Sequence, residues 1–295
     1  MLTRQLTPTP PFDWTASLRF LAGFSPTRDE HVVSDGTLTK AVMLDGDVVG
    51  FQVRSLGSVA SPLLEVSLDS EDGLTEELAD AVLDVIGFFL SVDDDLQPFY
   101  AQAADDRAFA PIARALYGYH QVKFLTPYEN ACWAILSQRT SMEQAHETKL
   151  RLVAELGGSV GMGEQWFGAF PSPRAMLARF ERAREIVNHV QKIRYLEAAT
   201  QAFLTVDEGF LRHGPIEEVE SWLRAIPGVG AWSATFVLVR GLGRVERIPV
   251  GESRLAAAVA RRYGREHATP AGIQRIADRY GPWQGYWAHY MRVAG

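Results

Sequence analysis

Glu252 is the residue of this chain best placed to do chemistry. It stands in the segment Arg247-Ile248-Pro249-Val250-Gly251-Glu252-Ser253-Arg254-Leu255. Pro249 and Gly251 end any preceding helix, and the apolar spacing that follows predicts a helix over 254–263 with Ser253 in its N-cap region. The Glu252 carboxylate therefore falls at a helix N-terminus. A carboxylate held beside a bound deoxyribose can stabilise the oxocarbenium-like transition state of N-glycosidic cleavage. The same carboxylate at the same place can instead cap the helix and favour its dipole. The spacing alone leaves both roles open.

Upstream, residues 222–234 read Trp-Leu-Arg-Ala-Ile-Pro-Gly-Val-Gly-Ala-Trp-Ser-Ala. Proline lacks an amide donor and glycine carries the largest backbone entropy cost, so Pro227, Gly228 and Gly230 belong outside a helix. They predict a tight turn, with Val229 inside it and a second helix opening at Ala231. The backbone N–H groups at that opening make an anion site that needs no side chain. This is the helix-hairpin-helix pattern, spanning 217–241, which clamps a nucleic-acid backbone without reading bases. An ordinary helix–helix turn is the plainer alternative.

The charge distribution bears on that choice. The net charge of −7 over 295 residues argues against a polyanion partner until it is divided along the chain. Residues 1–106 hold 5 Lys/Arg and 19 Asp/Glu, a balance of −14, whereas 107–295 hold 24 and 17, a balance of +7. Residues 240–295 alone carry ten arginines against four acids. Such asymmetry fits DNA as a partner, or a solvated face such as Arg261, Arg262 and Arg265. A single cysteine, Cys132, excludes an intramolecular disulfide and reads as buried filler. The seven histidines show no zinc-ligand spacing, so no metal is expected. No signal region and no 18-residue apolar span are apparent, which leads us to expect a monomeric, cytoplasmic protein with no membrane contact.

The elements that must position these groups form an α+β chain. Alternation rich in Val, Leu and Thr predicts antiparallel strands near 31–34, 38–44, 48–54 and 62–68, with Asp45-Gly46 as a hairpin turn. A helix is expected over 75–90, and Asp93-Asp94-Asp95 marks a boundary. From Leu96 onward the expectation is helix after helix, broken at Gly157-Gly158, Pro171-Ser172-Pro173, Gly214-Pro215 and Gly281-Pro282. Two units follow: a small sheet domain over 1–95 and a helical region over 96–295, long enough for two lobes.

Taken together, these segments resemble the 3-methyladenine DNA glycosylase II family of the helix-hairpin-helix DNA glycosylase superfamily. The resemblance runs from Pro10-Pro11-Phe12-Asp13-Trp14 and Leu18, Phe20, Leu21 and Ala22, through Ala134-Ile135-Leu136-Ser137-Gln138-Arg139-Thr140-Ser141 and Phe170-Pro171-Ser172-Pro173. It continues through the hairpin, with Trp232 and Ala234 aligned, to Pro282, Trp283 and Tyr286. It implies a TATA-binding-protein-like sheet domain and a bilobal helical domain enclosing a cleft. The implied activity is base excision repair: extrusion of alkylated, 3-methyladenine-like bases from damaged double-stranded DNA into an aromatic pocket, and their release. Bifunctional members carry a lysine where this chain has Trp232, so the resemblance implies a monofunctional hydrolase that leaves an abasic site. It implies no cofactor, apart from a monovalent cation that the family's hairpin holds when DNA is bound.

Residue by residue, the resemblance assigns catalysis to Glu252 and backbone clamping to Pro227, Gly228, Val229, Gly230 and Ala231. It places Trp232, Gln138, Arg139 and Met291 at the base pocket or the duplex wedge. Three positions depart from the family. Its essential aspartate falls on Gly251 or Glu252, depending on a one-residue gap; the run of acid, small polar, basic and apolar residues favours Glu252. Glutamate is longer by roughly 1.5 Å, and a misplacement of about 1 Å can cost ~10²-fold in rate. The family's apolar wedge is replaced by Arg139, which is equally at home as a surface residue, and a pocket tryptophan by Met291 or Arg292. Trp283, Tyr286 and Trp287 fit core positions as well as a pocket. A non-catalytic or weakly active damage-binding relative is the alternative function, and a helical scaffold a remoter one.

Overall fold

A computed structural model describes residues 1–249 and 251–294. The chain opens with β1 (Leu2–Leu6) and α1 (Trp14–Gly23), the latter capped by Asp13, whose side chain accepts from the Ala16 N–H. Then come β2 (His31–Ser34), β3 (Thr37–Leu44), β4 (Asp47–Ser55) and β5 (Leu64–Asp69). They form one antiparallel sheet in the order β1-β5-β4-β3-β2, with Leu38 opposite Val53 and Phe51 opposite Leu68. The four expected strands are present with small shifts at their ends. β1 was not expected; it is short, and its burial alternates along an edge of the sheet.

The helices are α2 (Glu76–Leu90), α3 (Gln97–Ala104), α4 (Ala110–Ala115), α5 (Pro127–Leu136) and α6 (Met142–Leu156). Ser or Thr caps several of them, Thr75 on α2, Thr126 on α5 and Ser141 on α6, each accepting a backbone N–H. The expectation of helices alone after Leu96, with Gly157-Gly158 as a break between two of them, fails at that place. β6 (Gly158–Met162) and β7 (Gln165–Ala169) form an antiparallel hairpin. The sheet has an apolar outer face at Ala41, Met43 and Val48, and Val160, Met162 and Phe167 cover it. Glycine makes the approach close: a Cβ at Gly158 would stand 2.3 Å from Val48 Cγ2. Short strands rich in glycine carry little alternation, so the segment reads as a helix break.

The rest is α7 (Pro173–Ala178), α8 (Phe180–Val187), α9 (Val190–Thr205), α10 (Glu208–His213), α11 (Ile216–Ala225), α12 (Ala231–Arg240), α13 (Ser253–Tyr263), α14 (Pro270–Ala277) and α15 (Gln284–Val293). Two large apolar cores organise these elements. The first joins the sheet, α1 and α2–α4 to α13–α15; the second is built from α5–α12. The chain thus leaves the first core near Leu125 and returns to it near Ile248. Residue 95, the expected domain boundary, lies between Val92 and Leu96, both in the first core. Cys132 is fully buried in the second. No described helix is long and apolar enough to cross a membrane.

Candidate active site

The turn at 226–230 joins α11 to α12. The Val229 N–H donates to Ile226 O at 3.0 Å, and Gly228 takes a φ of +89°, the left-handed region that glycine enters freely. A Cβ at Gly228 would meet Tyr195 Cγ at 2.2 Å, so packing also demands its absence. Gly230 differs. It is the N-cap of α12 with an ordinary φ of −81°, and an added Cβ would meet nothing within 4 Å. No side chain caps α12, so its first N–H donors stay uncommitted to the protein's own side chains. Pro227, Gly230 and Ala231 are exposed there, whereas Val229 points into the second core.

The α5–α6 connection reaches this turn through one side chain. Gln138 Nε2 donates to Gly228 O at 2.8 Å, tying the two loops together. Arg139 is exposed and takes a φ of +49°, uncommon for a side chain with a Cβ. Lys192 holds the loop from beneath, donating to Leu136 O at 2.6 Å and to Thr140 Oγ1.

Trp232, 47% exposed, stacks on Phe236 with centroids 5.2 Å apart and planes 7° from parallel. From there an aromatic run leads inward: Phe236 to Phe124 at 5.9 Å, Phe124 to Phe24 at 5.5 Å, and Phe24 to Phe20 at 5.0 Å. It ends on a cluster of charge. The Arg240 guanidinium lies 4.9 Å from the centroids of both Phe20 and Phe24, and its Nη1 is 3.4 Å from His289 Nδ1. Arginine can only donate, so His289 Nδ1 accepts and the imidazole proton sits on Nε2, 3.0 Å from the Tyr119 hydroxyl. Burial, then Arg240 and Arg292, hold the histidine neutral, well below its usual range.

Glu252 reaches the same cluster from the other core. It is the N-cap residue of α13, one position earlier than expected for the cap, and α13 begins at Ser253 itself. Its side chain makes no capping hydrogen bond, so the capping role does not hold. Oε1 instead lies 3.0 Å from Arg292 Nε as an ion pair, while Oε2 is buried without a hydrogen-bond partner among the described residues. Burial raises the carboxyl above its ordinary value, against the pull of Arg292, Arg254 and Arg240. A carboxylate with one oxygen uncommitted among the described residues can orient water or face a developing cation.

Glu252, Trp232 and the hairpin lie on elements that converge on this aromatic run. Met291 does not join them: its side chain is fully buried in the first core, against a cavity of about 170 Å³ lined also by Ile112, Ala258 and Arg262. Its neighbour Arg292 takes the place beside Glu252. Tyr286 and Trp287 are core residues with no exposure, and Trp283 packs against the same core. Sequence reasoning missed Arg240 and His289. Arg240 closes a helix of apolar residues, where a cation is expected for dipole reasons alone, and nothing local marks it as buried.

The comparisons extend over the whole chain. No family model matches. The DNA-3-methyladenine glycosylase of Bacillus subtilis (strain 168) is 24% identical over 294 residues, covering 95% of this chain and 93% of that protein. DNA-3-methyladenine glycosylase 2 of Escherichia coli (strain K12) is 25% identical over 280 residues, covering 94% and 92%. Among solved structures, a 3-methyladenine DNA-glycosylase from Archaeoglobus fulgidus superposes with a TM-score of 0.80 at 21% identity, covering 98% of this chain and 97% of that one. In sequence along 95% of its length and in fold along 98%, the chain is similar to DNA-3-methyladenine glycosylases.

Proposed function

We propose that the chain is a monofunctional DNA glycosylase that extrudes a damaged base, of the alkylated class named for its relatives, and hydrolyses its N-glycosidic bond. The observation that carries this reading is the Glu252 carboxylate, which caps nothing and keeps one buried oxygen free among the described residues. As the base departs with the bonding electron pair, positive charge develops at C1′. Glu252 stabilises that charge and orients the water that attacks the same carbon. No lysine stands at Trp232, so water is the nucleophile and an abasic site is the product.

The remaining parts follow from their placement. The α11–α12 turn acts as a helix-hairpin-helix clamp: its uncapped N–H donors and the open side of Gly230 admit a phosphate. The structural neighbours include a Clostridium acetobutylicum 8-oxoguanine glycosylase/lyase in complex with double-stranded DNA, with a TM-score of 0.71 at 12% identity. Arg139, displayed on a tight turn tied to the clamp through Gln138, fills the gap left by the base. Trp232 and the phenylalanines behind it form the wall of the base pocket.

One observation favours a second reading, a binding protein without turnover: the Arg292 ion pair occupies the other oxygen of Glu252, the cluster's one carboxylate among the described residues. Release of free base from duplex DNA methylated at many sites separates the two. Release by the wild type that is lost in Glu252→Gln, with DNA binding retained, establishes the glycosylase. Binding without release establishes the second reading.

A further inference from the structure

A cavity of about 510 Å³ lies where the two cores meet, lined by Leu83 and Val92 on the side of the first and Leu242 on that of the second. Neither Glu252 nor any residue of the 226–230 turn lines it. Its cations come from three segments: Lys123 ahead of α5, Arg212 of α10 and Arg244 beyond α12. Lys123 is 4% exposed. Its ammonium donates to Ser91 Oγ at 2.6 Å and lies 4.3 Å from the centroid of Phe88. No carboxylate stands within ion-pair distance of it among the described residues. Burial pushes the ammonium down to about 8; Asp94 and Asp93 pull the other way, and Arg212 and Arg240 add to the loss. An ammonium carries three donors, and one hydroxyl and one ring do not satisfy them.

The acids that line the cavity leave this charge unanswered. Asp84 pairs with Arg212, Asp94 accepts from the Tyr286 hydroxyl, and Asp93 is exposed, where water and salt screen it. Gly243 keeps the approach to the ammonium open. A Cβ there would stand 3.0 Å from Lys123 Nζ, and a longer side chain would cover it; the φ of +66° favours glycine as well.

We propose that this cavity binds a phosphate oxyanion, free or at the end of a small monoester, with Lys123 as its central contact and Arg212 and Arg244 around it. A phosphate offers acceptors in several directions, which suits donors that arrive from three segments, and hydrogen bonds from cations to it are strong. The volume falls in the range of small-molecule sites, so an attached organic group has room against Leu83, Val92 and Leu242. The inference does not depend on the glycosylase reading.

Thermal unfolding in a phosphate-free buffer tests it, with inorganic phosphate or adenosine monophosphate compared against sodium chloride at equal ionic strength. At a tenfold excess over its dissociation constant, either anion should raise the melting temperature by about 2–4 °C. Equal potency assigns the site to free phosphate and greater potency of the nucleotide to a monoester; both support the proposal. Lys123→Met should abolish the shift yet melt close to or above the wild type without phosphate, because it removes a buried charge that lacks an anion. Gly230→Asp, in the hairpin, should keep the shift. A shift that persists in Lys123→Met, or disappears in Gly230→Asp, overturns the proposal. If Lys123→Met does not fold, amide chemical shifts of the wild type decide. Phosphate-dependent changes at Ser91, Gly243 and Arg244 support the site, and changes confined to 228–231 overturn it. A wild type that responds to neither anion overturns it too, and leaves the glycosylase reading standing.

Discussion

Lys149 and Arg240 are both buried cations, yet the chain treats them in opposite ways. Lys149 sits 2.5 Å from Glu30 and 2.6 Å from Glu129, and Lys40 lies 3.2 Å from the other oxygen of Glu30. Two cations and two anions, none more than 4% exposed, cancel one another while joining the strand region to α5 and α6. Burial works against the charge on Lys149, but Glu129 and Glu30 overcome it and hold the ammonium above its usual range. Burial instead pushes Arg240 down to about 10, and Glu252, which makes no ion pair with it, does not offset the loss. A balanced cluster is complete as it stands, and its job is architecture. An unbalanced one is incomplete until something else arrives, which is how a binding site differs from a joint.

Exchanging the two clusters' roles by mutation should give opposite results, and the largest effects come first. Glu252→Gln should lower base release by about 10²- to 10⁴-fold while the melting temperature stays close to wild type. Lys149→Met should do the reverse. It strands Glu129 and half of Glu30 without a counter-charge, at a cost of about 3–5 kcal/mol in stability, with the rate per folded molecule unchanged. Denaturant titration beside single-turnover kinetics checks both, and a variant that moved both readouts together would erase the distinction.

The hairpin offers a smaller version of the same contrast. Gly228→Ala places a Cβ at positive φ and against Tyr195, so it should cost about 1–3 kcal/mol of stability. Gly230→Asp leaves the fold intact, because nothing lies within 4 Å of the new Cβ, but sets a negative charge at the proposed phosphate clamp. Binding of duplex DNA should weaken about tenfold or more, with a shallower salt dependence. Equal DNA affinity in Gly230→Asp and wild type would mean that the turn only packs.

These contrasts also mark what could be read from the residues. Pro227, Gly228 and Gly230 announce a turn because their own backbones forbid the alternatives, and β2–β5 announce themselves through β-branched alternation between Asp-Gly and Ser-Asp-Gly breaks. Those are local signals. The β6–β7 hairpin carries almost none, since its position is settled by the apolar outer face of a sheet more than a hundred residues earlier in the chain. Arg240 is the stronger lesson. At the end of α12 it has the composition of a routine helix terminus, and only Phe20, Phe24 and His289, brought in from both ends of the chain, make it buried and unpaired. Glu252 was legible as an acid at a helix start, but its partner Arg292 was visible only as a missing tryptophan. A charge's role depends on what surrounds it, and surroundings are tertiary.

Acid should separate the two clusters without any mutation. The Glu252 carboxyl is raised by burial, so its charged form is lost as pH falls through a value above the ordinary 4.5. Glu30 moves the other way: burial raises it, but Lys149 and Lys40 prevail and hold it at about 2. Its contribution to stability is complete above the unfolded value and persists until pH approaches 2. Base release should therefore decline on the acid side while the Lys149 cluster is still intact. Some stability is lost in the same range from another source. Burial, with Lys40 beside it, lowers His31 to about 4, so between 6.5 and 4 the unfolded chain takes up a proton that the folded chain refuses, and stability falls as pH falls. A pH–rate profile beside melting temperatures at each pH should show activity leaving first and reversibly. In Arg292→Met, which removes the cation opposing the raised value, the acid limb of whatever activity remains should move further up. A single transition in which activity and fold disappear together would place Glu252 with the architecture rather than with the chemistry.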